Sequence, residues 1–399
     1  MLPIGEPPRS REAPARRARL ADPGAPRVVQ FTKGFWVGGT EVQVLELLRG
    51  LPPHVSALRV AVLEQEGPLL PSVRALGHEP RAFPLGGSAM SATAARRVVE
   101  AARWLRAQGA QLVHVHDFYA TLVAVPAARL AGCKVVVGRL DLAHWHSPLQ
   151  RRALRLLTRA AHHVVANAEA IRQQLLTQEG LPRERVSVIH NGLDLAAFDR
   201  QLLAGPQAPL PDTGDAPVVL HVANMGHPVK RQEDLVAALA LARQEVPALR
   251  LFLVGDGGRR PLLERLAAQQ GVAGAVHFLG QRPDVPALYA RAAVGVNCSS
   301  AEGLSNAVME GMAASTPMVV TEVGGNPELV ADGVRGRVVP PASPPALAAA
   351  LVQLVQAPAL ARAMGRAGRA HVEECLSLER MVEAHAALYR RLVGAGSRG

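Results

Sequence analysis

The stretch Glu302-Gly-Leu-Ser-Asn-Ala-Val-Met-Glu310 decides how this chain is read. Two glutamates stand eight positions apart, with Ser305 and Asn306 between them. Either polar residue can cap a helix, its side-chain oxygen accepting from a free backbone N–H. Glu302 then ends a loop, and Glu310 lies about one turn inside the helix, ~6–8 Å along its axis. A helix N-terminus offers unpaired amides and the positive end of the helix dipole, which suits a diphosphate. The same spacing also fits an amphipathic helix with two solvated acids, and the residues around it must decide.

Downstream lie a strand-like Met318–Thr321 and Gly324-Gly325 ahead of Pro327-Glu328. Upstream, in order, come GGTE at 38–41, LVHVHD at 112–117, VIHNGLD at 188–194, LFLVGDGGRRPLLERL at 251–266 and HFLGQRPDVPALYARA at 277–292. Together with the segment from Glu302 to Pro341, these resemble the retaining glycosyltransferases of family 4, which have the GT-B fold. The resemblance runs from about Arg27 to the C-terminus.

Chain length and hydropathy agree with that architecture. The chain has 399 residues, 49% of them apolar, so it is globular and long enough for two cores. Short apolar runs alternate with helical patterns: Arg27–Thr32, Leu58–Leu63, Leu112–His116, Lys134–Gly138, His163–Ala166 and Val186–Ile189 in the first half; Val218–Val222, Leu251–Val254, Val276–Leu279, Val294–Asn297, Met318–Thr321 and Gly336–Val339 in the second. Amphipathic stretches such as Glu41–Arg49, Ala94–Gln108 and Leu262–Gln270 separate them. Uninterrupted apolar strands between helices indicate parallel sheets covered on both faces. The expected fold class is α/β, with two doubly wound Rossmann-like domains facing across a cleft. The expected divisions are a basic disordered tail at 1–26, an acceptor-side domain at 27–203, a Gly-, Pro- and Asp-rich linker at 204–217, a nucleotide-sugar domain at 218–375, and a helix at 376–399 that crosses back to the first domain.

Formal net charge is +11, part of it from the Arg-rich first 26 residues. The excess suits anionic donors or the anionic face of a membrane; compositional drift toward Ala and Arg is the other reading. Nucleic-acid binding is not expected, since aromatics are 3% and no basic-aromatic platform is visible. Cys133, Cys298 and Cys375 are odd in number and widely spaced, which argues against disulfides or a zinc site and for a reducing compartment. No run of about twenty apolar residues suggests a membrane span, and no signal-peptide core opens the chain. A cytoplasmic protein is expected, with peripheral association at the inner membrane face left open.

The resemblance implies a reaction and its residues. A sugar moves from a nucleoside diphosphate sugar to an acceptor hydroxyl with retention of configuration, forming an α-glycosidic bond, with no metal and no other cofactor. Lys230 stands where the family neutralises the leaving diphosphate; the family's companion arginine has no clean match, and Arg231 is the candidate substitute. Glu302 holds the donor sugar and Glu310 the ribose. Gly303, Leu304, Ser305 and Asn306 offer amides to the phosphates, and Gly325 stands in the turn behind them. Gly38 and Gly39 form a turn beside the phosphate, Gly255 ends a strand on the nucleotide side, and Leu279 with Gly280 meets the base through its backbone. His116 and Asp117 touch the acceptor. Where the family often has a histidine after the next strand, this chain offers Arg139, Asp141 or His144. The acceptor is a glycan, a lipid or a small molecule. The alternatives are a nucleotide-sugar 2-epimerase of the same fold and a non-catalytic nucleotide-sugar binding protein.

From the residues alone, His114 and His116 share a strand face and read more readily as buried, hydrogen-bonded histidines than as metal ligands. Gly255, Gly257 and Gly258 lack the full spacing of a dinucleotide fingerprint.

Overall fold

The computed structural model describes residues 25–52, 55–86, 92–142 and 146–394. The tail expected at 1–26 therefore lies almost wholly outside the described residues, and His144 lies outside them too. The strands are β1 (Arg27–Thr32), β2 (Ala57–Val62), β3 (Arg81–Ala82), β4 (Leu112–Val115), β5 (Lys134–Arg139), β6 (His163–Ala166), β7 (Val186–Val188), β8 (Val218–Val222), β9 (Arg250–Val254), β10 (Val276–Gly280), β11 (Val294–Asn297), β12 (Met318–Thr321) and β13 (Gly336–Val339). An α-helix follows most of them, as right-handed parallel crossovers require.

The chain divides into two compact units. The first holds the residues up to Val137, Leu156–His162 and the chain from Val382 onward; the second holds Gly138–Arg155 and His163–Met381. In the first unit, β3-β2-β1-β4-β5 are neighbours in that order and all parallel. β4 is wholly buried and β1 nearly so, which is why both read as unbroken apolar runs. The helix Leu378–Gly394 joins this unit from Val382 on.

The second unit carries the parallel sheet β10-β9-β8-β11-β12-β13, and β6 pairs with β7 in parallel. β6, β7 and Gly138–Arg155 fall in this unit. The apolar stretch after Pro341 forms two helices, Pro344–Gln356 and Pro358–Cys375. Leu347, Leu351 and Leu354 of the first are buried in the core. Among the described residues no single helix is long and apolar enough to cross a membrane.

At the centre of this unit the helix Asn306–Ala313 lies close against the sheet because two positions lack a side chain. A Cβ on Gly295 or on Gly311 would come within 2.4 or 2.3 Å of Met318 Sδ and about 3 Å from the Tyr289 ring. The small residue beside Glu310 thereby sets how deep that carboxyl sits.

Candidate functional site

Lys230 and Glu302 meet in the second unit, with Lys230 Nζ donating to Glu302 Oε1 at 2.6 Å. Each backbone is fixed by its neighbours. Lys230 ends the short 3-10 turn Pro228–Lys230 after β8. Ser300 N–H donates to Val229 O at 2.8 Å, and Cys298 Sγ lies 3.2 Å from Lys230 O. Burial pushes the Cys298 thiol up, so it stays protonated and serves as a packing residue with a weak donor.

Glu302 is held by more than the lysine. Ser299 Oγ donates to the same oxygen at 2.6 Å and Asn297 Nδ2 at 3.1 Å. Burial alone would raise this carboxyl, but the Lys230 ammonium and these donors outweigh it, so its pKa lies below the ordinary value. Behind them, Thr321 Oγ1 donates to Ser299 O at 2.6 Å, and Asn326 Nδ2 to Thr321 O at 3.1 Å. Asn297, Ser299 and Asn326 were not singled out in the sequence. The signal was available: β11 and its exit read Val-Gly-Val-Asn-Cys-Ser-Ser, where an apolar strand turns polar at its carboxyl end, the usual ligand edge of an open parallel sheet.

Ser305, one of the two caps the sequence offers, caps the helix Asn306–Ala313, its side chain accepting from Val308 N–H. Ser305 Oγ also accepts from Asn297 Nδ2 at 3.0 Å, so one asparagine ties the glutamate to the cap. Asn191 Nδ2 donates to Leu304 O at 3.1 Å and to Asn306 Oδ1 at 2.8 Å. Asn191 therefore buttresses the loop.

The glycines of this loop are explained by close backbone approach. A Cβ on Gly303 would lie 2.1 Å from Leu140 O and 3.0 Å from Asn167 Oδ1. Gly324, at φ +50°, would place one 1.9 Å from Glu302 O, so it needs glycine for both conformation and space. Gly325 N–H donates to Gly303 O at 2.8 Å. Glu328 then reaches the amides of Glu169 and Ala170, both at 2.8 Å, and caps the helix Glu169–Thr177. Gly303→Ala is expected to cost about 1–3 kcal/mol through overpacking and to loosen the loop before the capped helix, read by thermal unfolding and amide hydrogen exchange. Unchanged values in both would show that the loop gives way freely.

Glu310 is different. Burial alone raises its carboxyl from 4.5 to about 7. It also helps push the buried Tyr289 hydroxyl up, after burial itself, and that hydroxyl has no hydrogen-bond partner among the described residues. An acid whose folded pKa is raised stabilises the fold fully below its unfolded pKa and loses that contribution as pH rises through the folded one. Thermal stability should therefore fall between about pH 4.5 and 7 by a component that Glu310→Gln removes. An identical slope in the variant would contradict this.

The structure disperses other candidates. The Arg231 guanidinium is paired with Asp234 through two contacts of 2.8 Å, with Glu233 at 3.7 Å. It serves its own helix start rather than standing beside Lys230. Gly255, at φ +119°, would put a Cβ 2.1 Å from Ala223 O, and Gly257 one 2.5 Å from Gly226 N. These two glycines let the loop after β9 lie on the loop after β8, so Gly255 has a packing role. Leu279 and Gly280 are half-buried at the end of β10, and Gly280 O accepts from Gly255 N–H at 2.8 Å. His221, on β8, was missed; its Nδ1 lies 3.0 Å from Val296 O. Burial, with Lys230 adding to it, pushes its pKa down to about 4. A cavity of about 620 Å³ lined by 206–214 and Arg291 shares no residue with the Lys230–Glu302 cluster.

Arg139 is engaged by an acid at the exit of β5. It forms a bidentate pair with Glu179 at 2.8 and 3.1 Å, with side chains only 4% and 8% exposed. Asp141, the other candidate for that place, is half-buried.

In the first unit, His116 is buried, with its Nε2 2.7 Å from Gln30 Oε1. Burial, then His385, pushes its pKa down to about 3, which keeps the ring neutral. Gln30 Nε2 donates to the Tyr389 hydroxyl at 3.1 Å, and His114 Nδ1 lies 2.8 Å from that hydroxyl. The histidine pair thus docks the C-terminal helix. Asp117 caps the helix Phe118–Ala131 through Ala120 N–H at 2.8 Å and also accepts from Lys33 N–H at 2.5 Å and Thr32 Oγ1 at 3.1 Å. Its oxygens hold the loop after β1. Gly38 is the extended N-cap of the helix Gly39–Gly50, where a Cβ would meet Glu41 Oε2 at 2.5 Å.

Two parallel-sheet Rossmann-like units of this kind define the GT-B fold class. The chain belongs to glycosyltransferase family 4: residues 37–197 match the model "Glycosyltransferase Family 4" and 216–357 match "Glycosyl transferases group 1". Among curated relatives, the GDP-mannose-dependent alpha-(1-6)-phosphatidylinositol monomannoside mannosyltransferase of Mycolicibacterium smegmatis is 32% identical over 61% of this chain and 67% of its own length. The D-inositol 3-phosphate glycosyltransferase of Streptomyces avermitilis is 32% identical over 60% of this chain, and a putative glycosyltransferase EpsD of Bacillus subtilis 34% identical over 40%. The chain spans only 54% and 42% of those last two proteins. Among solved structures, Anabaena HepE in complex with UDP superposes with a TM-score of 0.79 at 22% identity, over 92% of this chain and all of that one. The lipopolysaccharide glycosyltransferase WaaG gives 0.68 at 18%, over 91% and 99%.

Proposed function

We propose that the protein transfers a sugar from a nucleoside diphosphate sugar to an acceptor hydroxyl with retention of configuration. The observation that carries this is the Lys230–Glu302 pair, 2.6 Å apart, at the mouth of a helix capped by Ser305. Lys230 faces the leaving diphosphate as a point charge. The amides of Leu304–Asn306 and the positive helix end share the negative charge that builds as the glycosidic bond breaks. Glu302 orients the donor sugar and Glu310 the ribose. The transition state resembles an oxocarbenium ion. The acceptor oxygen bonds to the anomeric carbon while the diphosphate leaves, and a donor phosphate oxygen takes the acceptor's proton. This reading uses no metal, since Lys230 and the helix end supply the positive field. Relatives whose printed names include GDP-mannose and a fold neighbour solved with UDP-glucose support a nucleotide-sugar donor without choosing the base. We place the activity in the cytoplasm, where three free cysteines remain reduced.

The test is incubation with UDP-glucose and GDP-mannose over a panel of glycan, inositol and lipid acceptors, with and without acceptor. Acceptor-dependent release of the nucleoside diphosphate and an α-linked product support the reading. A 2-epimer formed without acceptor, or tight binding of both donors with no turnover on any acceptor, would replace it.

A further inference from the structure

The helix Pro148–Ala160, sequence PLQRRALRLLTRA, carries a feature that sugar transfer does not use. Its inner side is closed, with Leu154 and Thr158 buried. On its outer side Leu149 is 66% exposed and Leu156 70%. Seven positions is close to two turns, so the two leucines stand one above the other on a single face. Arg152 and Arg159, three residues on from each leucine, flank that face, and Arg151 and Arg155 continue round it; all four are exposed. Arg152 and Arg155 have no acidic partner among the described residues. No acidic residue occurs between Asp141 and Glu169.

Leucines this exposed leave apolar surface in water, where burial would favour them by about 25 cal/mol per Å². Arginines beside them select what can cover that surface. A second copy of the same helix face would bring eight guanidinium groups together with no acid of this helix between them, so self-association through it is electrostatically opposed. A surface that is apolar below a negative plane satisfies both features at once. Leucines enter the acyl boundary, while arginine stems lie along it and their heads reach lipid phosphates.

We propose that this face is a docking surface for an anionic lipid bilayer, with the helix lying in the plane of the headgroups. A helix of 13 residues is about 20 Å long, which suits an interfacial segment and is too short for a span. Two leucines give weak, reversible attachment, and the arginines add about fivefold each in partitioning near an anionic surface.

The experiment uses the full chain and co-sedimentation with vesicles of phosphatidylcholine containing 30% phosphatidylglycerol, against pure phosphatidylcholine. The expected result is binding to the first only, largely lost at about 0.5 M salt, where charges are screened within a few ångströms. Arg152→Gln with Arg155→Gln should weaken partitioning onto the anionic vesicles about thirtyfold, and Leu149→Gln with Leu156→Gln should weaken it on the same vesicles. Thermal unfolding should be unchanged, because all four positions are exposed. The basic first 26 residues provide the internal check. If both double variants bind as well as the parent, attachment comes from elsewhere and the proposal fails. It fails equally if the parent ignores anionic vesicles or if an acidic polypeptide, not lipid, protects this helix from proteolysis.

Discussion

Lys230→Met lowers the rate of sugar transfer by two to three orders of magnitude and lowers thermal stability in the same protein, and adding Glu302→Gln restores the stability without the rate. On the proposed mechanism the first effect follows from the charge on the leaving diphosphate: removing one fixed stabiliser from a closed site typically costs about 3–4 kcal/mol in barrier. The second follows from what the lysine leaves behind. Glu302 is 11% exposed, and Lys230 is what holds its carboxyl below the ordinary value against burial. Without the ammonium, a buried carboxylate keeps only the Ser299 and Asn297 donors. Breaking such a pair from one side destabilises by up to about 3 kcal/mol. Glutamine keeps an oxygen for both donors and carries no charge, so the double variant recovers.

The pH dependence has opposite signs in the two proteins. In the parent, Glu302 has a depressed pKa, so its contribution is present above about 4.5 and is lost as pH falls through the folded value. In Lys230→Met burial dominates, the pKa is raised, and the variant gains relative stability on acidification toward pH 5. Unfolding scans at pH 5 and pH 8 separate the cases. A variant that is as stable as the parent at both would show that the pair is not coupled, and full transfer activity would remove Lys230 from the mechanism.

How much of this could be read beforehand depends on where the information lies. β1, β6, β8, β11, β12 and β13 fall at the residues expected from hydropathy alone, because a strand buried on both faces writes itself as an apolar run bounded by turns. β3 went unseen, since two edge residues, Arg81 and Ala82, make no pattern. Ser305 was legible as a cap because capping is local in sequence. The partners of Glu302 were only half legible. Lys230 is 72 residues away, and it was placed by the order of motifs, not by any rule of spacing. The glycines misled in one respect: Gly255 and Gly257 mark the approach of another backbone, which looks the same in sequence as a phosphate turn. Charged residues were the hardest. Arg231 and Arg139 both sit near strand ends, where ligands bind, yet each has an acid within 2.8 Å that no pattern announces.

Arg139 yields the second large effect. Its pairing with Glu179 is bidentate, nearly solvent-free and confined to the second unit. Glu179→Ala should therefore destabilise by about 3–5 kcal/mol, because a guanidinium cannot shed its charge inside a protein. That is among the larger penalties a single substitution carries. Arg139→Met with Glu179→Leu removes both charges and fills similar volume, so it should return close to parental stability. The same pair of variants decides whether Arg139 has any part in acceptor binding. If its role is only to hold the exit of β5, the double variant transfers sugar with an unchanged acceptor KM. A KM raised tenfold or more at parental stability would mean that the guanidinium leaves Glu179 when acceptor arrives, since a stable fold with a damaged acceptor constant has no other source in a doubly neutral pair.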